Sequence, residues 1–239
     1  MYLAESGIVE PPAEGWPSLT TNLQDLGKTD EVLSLLAHLP YIREAGDDNY
    51  HTHAVPWSRF ADWRDIGDSM SQGSSTGETI KILTEGLIYE DVPPHVIGLT
   101  FCPDKAVGPH FLLDTELGIV HWWECDGKIQ ERKSRDSVGD DAYRYAPENE
   151  AEWRAEGMSW AIVDFFEVLK DLFRDLHFVP TKSLKLVDDY TFLLGRDGMV
   201  PMLQNIYREH GWPNMEQYRK QECLEAIHRA LEEKYPDWV

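Results

Sequence analysis

The sequence predicts an α+β domain: a mostly antiparallel sheet, a long amphipathic helix over one face, and a C-terminal helical hairpin. Three observations carry this reading. HFLLDTELGIVHWW at 110–123 reads as two strands joined by a turn, with Gly118 free to take a positive φ. AIVDFFEVLKDLFRDLHFV at 161–179 reads as a helix. Its Ile162, Phe165, Phe166, Leu169, Leu172, Phe173 and Leu176 form an apolar face wide enough to cover a sheet. Beyond residue 195 the strand-like runs stop, and two helical segments remain, separated by Gly211 and Pro213.

Along the chain, residues 1–28 are rich in Pro, Gly, Ser and Thr and read as a surface arm, partly disordered. Asp30 is placed to cap a helix over EVLSLLAHL, with Val32, Leu33, Leu35 and Leu36 on its apolar face and Pro40 after its end. Tyr41 to Trp63 reads as an aromatic loop, and GDSMSQGSSTG at 67–77 as a Gly/Ser loop. A helix follows over ETIKILTEGLIYE, with Ile80, Leu83 and Leu87 on one stripe, broken by Pro93 and Pro94. HVIGLTF at 95–101 has strand length. Asp126-Gly127 marks a turn, and 128–153 reads as a polar excursion with little core. KLVDDYTFLLG at 185–195 supplies one more strand. Asp197 would then cap MVPMLQNIYREH, and Pro213-Asn214 would open the last helix. The boundaries are an arm at 1–28, an α+β core at 29–195 and the hairpin at 196–239.

Charge narrows the function classes. Of 239 residues, 22 are Lys or Arg and 43 are Asp or Glu, a formal net charge of −21. A field of that sign repels phosphate backbones and anionic membrane surfaces, so neither nucleic acid nor membrane is the expected partner. A basic protein partner fits. Cys102, Cys125 and Cys223 have no CxxC spacing, which argues against a disulfide framework and a structural zinc module. The N-terminus lacks a basic region followed by an apolar run, and no stretch approaches the ~20 apolar residues of a membrane span. A reducing, cytoplasmic compartment is the expectation. There is no GxGxxG or GxSxG, and GSSTGE at 73–78 lacks the P-loop lysine, so no cofactor is expected.

The densest group of reactive side chains lies in 95–125: His95, Cys102, His110, Asp114, His121 and Cys125. Residues two apart on a strand share a face, which places His110 with Asp114, and His121 with Trp123. If the chain is an enzyme, His110, His121 and Asp114 are its acid/base groups, since imidazole titrates near neutral pH. The plain alternative makes the cysteines small buried hydrophobes and the histidines ordinary strand residues. His51 and His53 form an HxH pair after Asp47-Asp48 that could hold a divalent cation, with no third ligand identifiable. The Asp-Asp pairs at 47–48, 140–141 and 188–189 read as solvated charge. Trp57, Trp63, Trp122 and Trp123 are expected near the sheet. A concave face lined by them would take an apolar small molecule or a protein anchor.

The order EVLSLLAHLP, PWSRFADW, HVIGLTF, HFLLDTELGIVHWW, WAIVDFFEVLKDLF resembles the SUKH superfamily, which includes fungal cell-wall-synthesis regulators and bacterial toxin-immunity proteins. That family sets a helix before a mixed sheet with an L-D-x-x-G-x-V strand pair and a Phe-rich closing helix. Leu113, Asp114, Gly118 and Val120 fit the pair, and Phe165, Phe166 and Leu169 fit the helix. The resemblance covers about residues 30–178. It implies a non-enzymatic protein-binding role and carries over no catalytic residue. YREHGWPNMEQYRKQECLEAI is also similar in style to proteins of filamentous fungi. Two readings follow. One is an intracellular protein-binding or regulatory module with an acidic surface and an aromatic groove. The other is a small-molecule enzyme of fungal metabolism with a Trp-lined pocket and His/Asp acid-base groups.

Overall fold

The computed structural model describes residues 7–42, 53–103, 108–139, 141–182, 185–192 and 194–238. The fold is α+β, and every strand pairing is antiparallel. Its central sheet is built on the strand pair legible in the sequence, β7 (His110–Asp114) and β8 (Ile119–Trp123). Asp114 lies opposite Ile119 and His110 opposite Trp123. The Asp114 carboxylate fixes the turn by accepting from the backbone N–H groups of Glu116 and Leu117, and Gly118 takes φ 66°. β5 (Val96–Gly98) and β9 (Met158–Ala161) complete the order β5-β7-β8-β9. Both faces are covered, so β7 is buried along its whole length.

One face carries Phe111, Leu113, Val120, Trp122 and Trp160 into the main core, beneath α7 (Ile162–Arg174). Phe165, Val168, Leu169 and Leu172 are the buried stripe of α7. The apolar face is narrower than the sequence implied: Ile162 and Phe166 are exposed. α2 (Asp30–His38) packs Val32, Leu33 and Leu36 into the same core, with Thr29 rather than Asp30 as the capping residue. The segment read as a surface arm is also core from residue 19. Leu19, Leu23 and Leu26 are buried around α1 (Leu19–Asn22), and Lys28 Nζ meets the buried Glu85 carboxylate at 2.7 Å. Burial pushes the lysine down from its usual range and the glutamate up. Pro11, Pro12, Gly15 and Pro17 just before it hide the i, i+4, i+7 leucine stripe.

The aromatic segment 41–63 holds short strands where a loop was expected. β2 (Tyr41–Ile42) pairs with β1 (Ile8–Val9), and β3 (His53–Val55) with β4 (Ser58–Phe60). HVIGLTF divides into β5 and β6 (Thr100–Phe101), and β6 joins β4. Leu99 stitches the two sheets: its N–H donates to the Phe111 carbonyl, and its own carbonyl accepts from Ala61. α3 (Trp63–Ser71), capped by Asp62, occupies half of the expected Gly/Ser loop. α4 (Gly77–Glu85) gives way to a 3-10 turn at Gly86–Ile88, which leaves Leu87 71% exposed instead of on the Ile80 stripe. The polar excursion is likewise structured. α5 (Gly127–Glu131) buries Ile129, and α6 (Glu148–Ala155) buries Ala151, Trp153 and Arg154.

The C-terminal hairpin is α8 (Met199–Glu209) and α9 (Lys220–Lys234). Gly198, not Asp197, is the residue before α8, and α9 begins six residues beyond Asn214. The hairpin packs on β10 (Phe178–Lys182) and β11 (Lys185–Asp188) through Val179, Val187, Met199, Leu203, Tyr207, Cys223, Ile227 and Leu231. β10 escaped the sequence reading because HFV continues the helical apolar run. Among the described residues no helix is long and apolar enough to cross a membrane.

Candidate functional site: a buried polar latch and an apolar cavity

The second face of the central sheet holds the predicted acid/base groups. His110 and Asp114 share it by strand alternation, and the β7–β8 register, with Leu112 opposite His121, adds His121. They are not free. Asp114, fully buried, accepts from Arg154 Nη1 at 2.8 Å in addition to its two turn N–H groups. Arg154 Nη1 also lies 3.1 Å from His121 Nε2, and its Nη2 lies 3.2 Å from Glu150. Its guanidinium sits 4.7 Å from the Trp153 ring centroid, and Trp153 meets the His121 ring edge-on at 5.3 Å. His95 approaches Asp114 at 3.7 Å. Burial first, then the Arg154 charge, holds His121 down at about 4. Burial likewise lowers His110 to about 4 against a hydrogen bond to the Gly108 backbone. His110 instead packs on Trp123, with ring centroids 5.9 Å apart. Both imidazoles are therefore neutral at pH 7, and the group is a polar latch joining α6 to the sheet.

Arg154 was missed in the sequence. Its signal was the Glu150/Arg154 pair at i, i+4 beside Trp153, which marks a helix with one buried face inside an otherwise charged stretch. The cysteines are buried, free thiols. Burial pushes Cys102 up to about 11 and Cys125 to about 12, which removes them as nucleophiles near neutral pH. His53 lies on β3 opposite Arg59, and His51, Asp47, Asp48 and Asp140 fall outside the described residues. Among the described residues no three His, Cys, Asp or Glu side chains are grouped to hold a metal ion.

The four tryptophans do not line one groove. Trp122 is buried in the main core, T-shaped against Phe111 at 4.8 Å, whereas Trp123 points to the opposite face and donates its indole N–H to Glu156. Trp57 sits 37% exposed in the two-residue β3–β4 turn at φ 71°. Trp63 alone of the four lines an apolar cavity. That cavity of about 340 Å3 is walled by Ile8, Leu39, Pro40, Tyr41, Ile42, Phe60, Ala61, Trp63, Leu99 and Phe166. Among the described residues every wall side chain is apolar or aromatic. The Tyr41 hydroxyl is turned away to the Leu36 carbonyl, and Trp63 is only 2% exposed. Ile8 and Phe166 are exposed at the same site, and Ile162 and the 74% exposed Val163 lie one turn earlier on α7. Such a surface can exclude water from an apolar group, and among the described residues its walls supply no carboxylate, imidazole, thiol or amine for chemistry.

The chain matches no known protein family, no curated protein and no solved structure.

Proposed function

We propose that this chain is an intracellular protein-binding or regulatory module whose recognition element is the apolar cavity, and whose partner is a basic protein segment seating an apolar side chain there. The observation that supports it is the cavity together with its apolar rim. A 150 Å3 cavity suffices for a benzene ring, so about 340 Å3 admits an aromatic or branched side chain with room to spare. The exposed Ile8, Ile162, Val163 and Phe166 extend the apolar surface beyond what a small ligand would cover. The net charge of −21 favours a basic partner and speeds its encounter. The sequence resemblance to the SUKH superfamily, which implies a protein-binding role, points the same way. The enzyme reading loses support because Asp114 and His121 are committed to Arg154 and His110 is buried.

The test is calorimetric titration with a hexapeptide carrying a Phe-Leu centre and two lysines on each side. Binding should weaken as salt rises from about 50 to about 500 mM. It should be lost in Phe166→Asp and absent for the same peptide with glutamates in place of lysines. Equal binding of lysine and glutamate peptides would remove the basic-partner reading. Binding untouched by Phe166→Asp would remove the cavity.

A further inference from the structure

We propose that His121 makes the latch between α6 and the central sheet acid-sensitive, so that α6 detaches below neutral pH while the sheet and α7 stay folded. The argument starts from hydrogen-bond roles and is independent of the binding reading. Arg154 is always protonated and can only donate. At 3.1 Å from its Nη1, His121 Nε2 must therefore be the acceptor, with the ring proton on Nδ1. A second proton has to enter at Nε2. It breaks that hydrogen bond and sets two cations against each other in a site where both residues are under 9% exposed.

The surrounding charges do not relieve this. From β7, Asp114 is already shared between Arg154 and the turn N–H groups. From α6 come Arg154 itself and Glu150, whose carboxylate lies on the far side of the guanidinium at 3.2 Å. From the segment before β5, His95 lies 3.7 Å from Asp114, and Glu116 of the β7–β8 turn lies 3.6 Å from His95. β9 presents Ser159, which is uncharged, opposite His121.

α6 is the element that yields. Its large buried apolar side chain, Trp153, belongs to a small cluster with Val92, Val96 and Leu112, apart from the main core. The opposite face of the sheet is held by α7 through Phe165, Val168, Leu169 and Leu172 in the main core. Segments with few buried apolar contacts open at lower free energy than the whole domain.

Hydrogen exchange read by mass spectrometry, corrected for intrinsic rates, tests this at about pH 7.5 and about pH 5. With His121 at about 4 when latched and at its ordinary value of about 6.5 when released, linkage gives about a 30-fold larger opening constant at pH 5. Protection over 148–155 should fall by that factor and stay well below that of 165–172 at both pH values, because the core segment exchanges only when the whole domain opens. His121→Gln, which offers Arg154 a neutral acceptor that cannot titrate, should abolish the pH effect at 148–155. Unchanged protection at 148–155, an equal fall in His121→Gln, or protection at 148–155 as high as at 165–172 would each overturn the proposal. The comparison of 148–155 with 165–172 in the wild-type chain decides even if the variant does not fold.

Discussion

Asp114→Ala separates a latch from a catalytic acid by its effect on stability. The carboxylate is 0% exposed and faces the Arg154 side chain, itself 2% exposed, at 2.8 Å. Removing it strands a guanidinium in the interior, which costs about 3–5 kcal/mol. The Glu116 and Leu117 N–H groups also lose their acceptor. Both residues are exposed, so water replaces most of that contribution and adds at most ~1 kcal/mol. A loss of roughly 4 kcal/mol corresponds to a fall in Tm of about 10 °C for a chain of this size. Urea unfolding followed by tryptophan fluorescence, with calorimetry for Tm, measures both. Asp114→Leu combined with Arg154→Met removes both charges at once and should recover more than half of the loss, because no ion is left unpaired. A variant Asp114→Ala as stable as the parent would refute the reasoning, as would a double variant with strictly additive losses. An active-site carboxylate would give the first of those results.

Other outcomes follow from the same geometry. His110 and His121 are held near about 4, against an ordinary 6.5 in the unfolded chain, so the folded state binds fewer protons. Stability should be full above pH 6.5 and decline as pH falls toward 4, by up to roughly 3 kcal/mol per histidine at the lower end, read as Tm against pH. Trp122→Ala should cost about 3–5 kcal/mol because it empties the core beside Phe111, whereas Trp57→Ala at the exposed turn should cost under ~1 kcal/mol by the same urea assay. Cys102 and Cys125, pushed up to about 11 and about 12, should resist a disulfide reagent at about pH 8 until the chain unfolds. Rapid labelling of the folded chain at either thiol would contradict their burial.

What was legible in the sequence was what local pattern encodes. The β7–β8 pair, its Gly118 turn, α7 and the helical hairpin all appear as periodicity bounded by turn residues, and each lies where that periodicity put it. Strand alternation also put His110 with Asp114, and His121 with Trp123, but only the β7–β8 register brings the two pairs to one face. What failed was whatever depends on pairing across the chain. β1 with β2 and β4 with β6 are too short to show alternation, and they exist only because distant partners supply hydrogen bonds. The Trp122/Trp123 pair was read as one surface although neighbours on a strand face opposite ways. Arg154 reaches Asp114 across 40 residues, so no local window contains both. The cavity draws its walls from residues 8, 39–42, 60–63, 99 and 166, five separate stretches that only the tertiary fold assembles.

The most direct test of the account is methyl NMR on the chain titrated with the lysine-flanked Phe-Leu hexapeptide. The account predicts shift changes at Ile8, Leu39, Ile42 and Leu99, which wall the cavity, and none at Val96 and Leu112 on the histidine face. Changes centred on Val96 and Leu112 with the cavity methyls silent would contradict it and return the functional site to His110, Asp114 and His121.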